Sequence, residues 1–345
     1  MVEEDNLMIL IRSAALLVLI SLMVSVGLAQ NDPNEELQSL LNRRGELKTE
    51  MEAANQAGDH DKYNQLLEEW ESVSEQIKAL NEQISKDIEA RNNAVKFYNE
   101  GKKFYQQGKT TQAVESFRKS LEYDAQNPRT YYMLGVAQYK ARDYPGALTS
   151  FDNAISLKSG YAEAYYMRGC VLQKMGKDSE ALKAYQDAIT HNPSYAKAYF
   201  GMGSVYLDMN KNSDAVEAFR TATELDPKHY LAFTSLAQAL SKQGKFNEAI
   251  KAADAAIAIK PSYWKSYYLK AMAANKAGKF QLAIDAGEGC LKYKANYAGA
   301  YFEIAQAYQA LGNKTKALEN YKKCLNDRQW RPNAEHQIKI LEEEG

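Results

Sequence analysis

The sequence predicts an all-α protein: an α-solenoid of stacked helix pairs, preceded by a helical arm and closed by a short capping helix. Three observations lead there. From Ala94 onward small and aromatic residues return every 34 positions. Before that point, apolar residues step by threes and fours, the spacing of a helix with one apolar seam. The chain's 345 residues are 45% hydrophobic and 25% charged, a soluble globular composition.

That composition excludes a disordered chain, a collagen-like chain and a polytopic membrane protein. At this length one compact core is unusual, so two domains or a repeat array are expected. Three Cys cannot build a disulfide framework. Net charge is −1, from 43 Lys and Arg against 44 Asp and Glu, but it is unevenly distributed.

Residues 1–29 read as a signal peptide. Ser13 to Ala29 is uncharged and mostly apolar. As a helix it spans about 25 Å, short of the ~30 Å hydrocarbon core. Gly27 and Ala29 put small residues at −3 and −1 before Gln30. Glu3, Glu4 and Asp5 are acidic where such a signal carries positive charge. A start at Met8, which leads directly to Arg12, gives a better n-region. Cleaved, the segment exports the chain; retained, it is an anchor helix, the one way the chain meets a membrane. Either way Arg12 leaves the remainder outside the cytoplasm, in a bacterial periplasm or secreted. No Cys follows the apolar run to support a lipid anchor.

Residues 30–93 form an acidic, coiled-coil-like helical arm. Asp32 and Pro33 are a capping residue and a first-turn proline. Leu37, Leu40, Arg44, Leu47, Met51 and Ala54 make one seam; Tyr63, Leu66, Trp70, Val73, Ile77, Leu80 and Ile84 make another. Ala57 to Asp61 interrupts them. Such seams must be buried. The arm either folds back as an antiparallel hairpin, which Gly58 favours, or self-associates with another chain through residues 34–90. Residues 30–92 hold 15 acids and 7 bases, net −8, whereas residues 93–345 are net +9. Arm and body are different modules.

The body is regular without insertion. Ala113, Ala147, Ala181, Ala215, Ala249, Ala283 and Ala317 are 34 apart, and seven units fill 94–331. Twelve positions before each stands Gly101, Gly135, Gly169, Gly203, Ala237, Ala271 or Ala305. Gly108, Gly176, Gly244, Gly278 and Gly312 mark mid-unit turns; Pro193, Pro227 and Pro261 mark unit ends. Four residues beyond each alanine come Phe117, Phe151, Tyr185, Phe219, Ala253, Gly287 and Tyr321. Each unit therefore holds two helices, with the eighth and twentieth positions small where the helices cross. One pair leaves an apolar face, so pairs stack. The sixth unit departs most, with Lys270, Gly287 and Cys290 at core positions, and a local defect is expected there. Residues 332–345, with Ile338, Ile340 and Leu341, supply the capping helix. At the other end the acidic helix running into Ala94 is expected to cap the first unit.

This pattern resembles the tetratricopeptide repeat (TPR) family over about 238 of 345 residues. The unit 162–195 shows it best, with Tyr165, Gly169, Leu172, Gly176, Ala181, Tyr185, Ala188 and Pro193. The resemblance implies a right-handed α-solenoid of seven TPR helix pairs: 94–127, 128–161, 162–195, 196–229, 230–263, 264–297 and 298–331. It implies a concave groove lined by the second, fifth, ninth, twelfth and thirteenth positions of each unit. At the fifth stand Tyr98, Tyr132, Tyr166, Phe200, Thr234, Tyr268 and Phe302. The other positions contribute Lys102, Arg129, Lys140, Lys174, Lys197, Lys242, Lys265 and Lys276 against Glu163 and Asp208. The expected ligand groove is thus Tyr98, Lys102, Tyr132, Lys140, Tyr166, Lys174, Phe200, Lys242, Tyr268 and Phe302. It is an aromatic ladder flanked by bases, suited to an extended or helical protein segment, acidic in character. The family's carboxylate clamp needs Lys at the fifth position and Asn at the ninth, and neither is present. An Asn ladder at the sixth is also missing, since Asn99 stands alone.

No catalytic or cofactor motif emerges. His60, His191, His229 and His336 have no partner at metal spacing, and no Cys lies three residues from another. Cys290 and Cys324 occupy equivalent positions in neighbouring units, too far apart for a disulfide, and read as buried free thiols. Cys170 falls in the groove. There is no phosphate loop, nucleophile elbow or HExxH. The expectation is a non-enzymatic, cofactor-free protein-binding scaffold, with export arguing against a nucleic-acid partner. The alternatives are a glycan-binding envelope module, since rings also stack on sugars, and a non-catalytic subunit of an enzyme or secretion complex.

Overall fold

A computed structural model describes residues 32–343; the segment expected to be a signal peptide, residues 1–29, lies outside them. The described residues form sixteen helices and no strand. They divide into two compact units, one of residues 32–97 with 122–124, the other of 98–121 with 125–343.

The first unit is built on helices α1 (Pro33–Ala57) and α2 (His60–Gln106), the latter continuing into the second unit at Tyr98. The Asp32 carboxylate accepts the Asn34 N–H at 3.0 Å, and Pro33 fills the first turn where no donor is needed. Gly58, at φ 71°, ends α1 in the left-handed conformation. Leu37, Leu47, Ala54, Leu66, Val73 and Ile77 form one buried cluster, flanked by Leu40, Leu41, Met51, Tyr63, Trp70, Leu80 and Ile84. Both seams are therefore buried within one chain as a helical hairpin. The seam position Arg44 is half-buried, while its neighbour Arg43 reaches Glu50 at 3.2 Å and, across the hairpin, Glu69 at 2.9 Å.

The second unit continues with α3 (Thr110–Tyr123), α4 (Pro128–Lys140), α5 (Tyr144–Leu157), α6 (Ala162–Lys174), α7 (Asp178–His191), α8 (Ala196–Asp208) and α9 (Asn212–Leu225). It completes with α10 (Tyr230–Lys242), α11 (Phe246–Ile259), α12 (Trp264–Lys276), α13 (Phe280–Tyr293), α14 (Ala298–Ala310), α15 (Lys314–Lys323) and α16 (Arg331–Glu343). From α4 onward consecutive helices pack as pairs and each pair packs on the next, and α3 joins α4 through Ala113, Phe117, Leu134 and Ala137, the solenoid that the spacing predicts.

Every repeat turns on one left-handed residue. Gly108, Gly176, Gly244, Gly278 and Gly312 have φ of 73–77°. The second and fourth repeats use Arg142 (φ 64°) and Asn210 (φ 57°) at the same position. The turn geometry is conserved across the repeats while the glycine is not, at a local cost of about 1–2 kcal/mol for Arg142.

The glycines at the eighth position answer to rings. A Cβ on Gly101, Gly135, Gly169 or Gly203 would lie 2.6–2.8 Å from the nearest atom of Phe117, Phe151, Tyr185 or Phe219 respectively. Those four rings are fully buried, as are the alanines at the twentieth position. So the eighth position is kept small by the aromatic of the second helix. The expected defect in the sixth repeat does not occur. Space beside Gly287 is filled by Ile304 of the next repeat, whose Cγ1 stands where a Cβ would go. Lys270 pairs with Asp254 at 2.7 Å, and Cys290 is fully buried. At the far end α16 covers Phe302, Ala305, Tyr321 and Cys324 with Ala334 and Leu341, helped by Trp330 and Ile338. Ile340, expected in this cover, is only half-buried and outside that cluster.

Candidate functional site

The fifth-position rings are less free than the sequence suggests. Tyr98, Tyr132, Tyr166, Phe200 and Phe302 each pack on the buried ring of their own repeat, with centroids 5.8, 5.8, 5.8, 5.7 and 5.3 Å apart. Phe302 retains only 8% of its surface. Burial raises the Tyr132 hydroxyl to about 12 and pushes Tyr166 and Tyr268 up as well. The ladder is a largely buried wall, and in repeats one to four and seven its rings also pack the two helices of the pair together.

Sequence reading missed a second row of rings at the repeat ends. Tyr161 lies 5.1 Å from Tyr132, Tyr195 5.4 Å from Tyr166, His229 4.8 Å from Phe200 and Tyr297 5.2 Å from Tyr268. Tyr161, Tyr195, His229, Tyr263 and Tyr297 are themselves 34 apart, so the signal was present in the spacing. Burial lowers the His229 pKa against a raising influence from Asp226, and Lys197 adds to the lowering. This histidine behaves as a ring of the row.

Lysines take two roles. Lys102 and Arg129 stand over the Tyr98 ring, 5.8 and 5.7 Å from its centroid, and Lys140 is 4.6 Å from the Tyr105 ring. Such contacts contribute about 0.5–1 kcal/mol each at exposed sites. Lys140, Lys174 and Lys242 are exposed, and Lys242 donates to Asn210 Oδ1 at 3.3 Å. Cys170 is half-buried; the Tyr185 hydroxyl donates to its sulfur at 3.6 Å, and burial raises the thiol's pKa. That is a packed thiol, the opposite of an activated one. Cys290 and Cys324 are buried free thiols raised to about 11 and 12.

Between the fifth and sixth repeats the groove positions enclose a cavity of about 430 Å³. Its walls are Lys242, Lys265, Lys276, Tyr268, Gln238 and Ser241; Phe246, Leu269, Met272 and Ala273 make the apolar lining. Of the ten expected groove residues, Lys242 and Tyr268 meet here, and the other eight are distributed along the remaining repeats. Among the described residues no three of His, Cys, Asp and Glu come together as a metal site. No helix among them is long and apolar enough to cross a membrane.

Comparison with known proteins agrees with this architecture. The chain matches the TPR repeat family at residues 101–141 and the tetratricopeptide repeat family at 162–195, 200–263, 234–301 and 298–326. These segments together exceed half of the chain, which belongs to the tetratricopeptide repeat proteins. Among solved structures it is similar to the C-terminal part of a TPR repeat-containing protein from Cytophaga hutchinsonii. Identity is 20%, TM-score 0.56, with 68% of this chain and 97% of that one covered. The Pseudomonas aeruginosa pilF protein gives 24% identity, TM-score 0.54, and coverage of 65% and 99%. A tetratricopeptide repeat protein from Parabacteroides merdae gives 20%, 0.51, 72% and 99%. At these identities the likeness is one of fold. No curated protein matches the chain in sequence.

Proposed function

We propose that this protein is a non-enzymatic scaffold outside the cytoplasm, whose repeat groove holds a segment of a partner protein. The observation that carries the reading is the cavity between the fifth and sixth repeats, lined by the positions a TPR groove presents. Tetratricopeptide repeats are in general protein-interaction scaffolds, and the regular array leaves no inserted domain in which a catalytic site could be assembled. Rings packed against rings offer limited open faces for sugar stacking, which favours a protein partner over a glycan. The apolar run from Ser13 to Ala29 supports export.

Site-specific photo-cross-linking in the native host tests the groove. Probes at Lys140 and Lys174 are expected to capture one protein that a probe at Glu217 on α9 does not. Equal capture from all three positions, or none from the groove, overturns the reading. Export is checked by fractionation and N-terminal sequencing: material retained inside the cytoplasm sinks that half of the proposal.

A further inference from the structure

We infer that the cavity between the fifth and sixth repeats is an anchor site for an acidic partner segment, in which one bulky apolar side chain is flanked by carboxylates. The inference rests on the groove reading above and goes further by naming the chemistry that the groove selects.

Three facts converge. First, the lining is sorted. Lys242, Lys265 and Lys276 come from two neighbouring first helices, and no acidic residue lines the cavity. Glu303, whose charge is felt by Lys276, is buried at 5% exposure and accepts the Asn275 Nδ2–H at 2.7 Å. Second, the interior between those lysines is apolar. Leu269 and Ala273 are buried, and Met272 and Phe246 are half-buried with surface still open to the cavity. Methionine adapts to irregular apolar guests, and about 430 Å³ lies within the range of small ligand pockets. Third, the buried Ser241 hydroxyl oxygen in the wall has no hydrogen-bond partner among the described residues. A buried hydroxyl without a partner is disfavoured, and rotation of the Ser241 side chain toward the cavity would bring it to a carboxylate or backbone group of a guest.

Together these features complement a negatively charged chain that inserts an apolar side chain. Lysine is a strongly hydrated point charge without arginine's bidentate fork, so here it steers and brackets carboxylates while apolar contact provides the hold.

The test uses the full chain and three ten-residue peptides. One has a single leucine between glutamates, one replaces the glutamates with glutamine, and one replaces the leucine with alanine. Affinity is read by fluorescence anisotropy, and the Met272 methyl by NMR. The acidic leucine peptide is expected to shift the Met272 methyl. The glutamine and alanine analogues, and the variant Lys242→Gln, Lys265→Gln, Lys276→Gln, are each expected to bind about tenfold or more weakly. Lys242 and Lys276 are exposed and Lys265 is half-buried, so the variant keeps its fold, as circular dichroism will verify. Equal affinity for the glutamine analogue, equal affinity of the variant, or an unmoved Met272 methyl overturns the inference. If Met272 stays unmoved while photo-cross-links at Lys140 and Lys174 persist, the anchor site falls and the groove reading stands. Loss of both removes both.

Discussion

Repeats one to four and repeats five and six solve the same packing problem differently. In the first group a buried ring (Phe117, Phe151, Tyr185 or Phe219) fills the space between the two helices, and a glycine opposite makes room for it. In the second group the equivalent positions are Ala253 and Gly287, with Ala237 and Ala271 opposite. Thr234 there replaces the fifth-position ring and bonds Ser266 at 2.8 Å, while Ile304 fills the place beside Gly287. The ring-filled repeats present a closed wall of largely buried aromatics. The ring-poor pair opens into the basic, apolar cavity. A ring and a glycine fill the crossing in the first group, whereas two small residues in the second leave it to be filled by neighbouring side chains such as Ile304.

The largest test of that comparison removes a ring. Phe219→Ala should destabilise the body by about 3–5 kcal/mol, measured by chemical denaturation, because the fully buried ring fills the space beside Gly203 and its removal would leave a cavity there. A loss no greater than that of a surface substitution would erase the distinction between the two groups.

A sharper test adds volume in the ring-poor pair. Gly287→Ala forces a Cβ onto Ile304 and should cost about 1–3 kcal/mol. Combined with Ile304→Ala, which removes the Cγ1 that the new Cβ would meet, the cost should fall well below the sum of the two single changes. Additive behaviour would show that Ile304 does not occupy that space.

The buried thiols allow a pH test. Cys290 is raised from 9.0 to about 11. Native protein therefore retains the thiol proton while the unfolded chain loses it, so stability declines as pH rises from about 9 towards 11. Below pH 9 this contribution is constant. Cys290→Ala should flatten the decline, read as unfolding midpoints at pH 8 and pH 10.5. An unchanged slope would mean that other groups carry it, the Tyr132 hydroxyl at about 12 among them.

The smallest effect is expected in the arm. Arg43→Ala removes contacts to Glu46, Glu50 and Glu69, all exposed. Its consequence should be slight at low salt and vanish at 1 M salt, where screening extends to about 3 Å. A large loss at low salt that disappears at 1 M would show that the hairpin depends on charge more than on its apolar cluster.

The periodicity of 34 determined the helix pairs, the small crossing positions and the end of the array, because an unbroken repeat leaves each unit the same job. The arm's seams were equally legible, yet only the structure shows them burying each other within one chain. A seam records that a face is apolar without recording what covers it. The same reason explains the sixth repeat: Gly287 reads as a defect alone, and Ile304, seventeen residues away in sequence, repairs it. The left-handed turns at Arg142 and Asn210 were hidden because a backbone conformation can persist without its preferred residue. Groove positions were readable as a register, but burial was not. Which rings are internal wall, and which lysines surround an open cavity, depends on side-chain volumes meeting across repeats. That is a property of packing in three dimensions, and tertiary structure alone decided it.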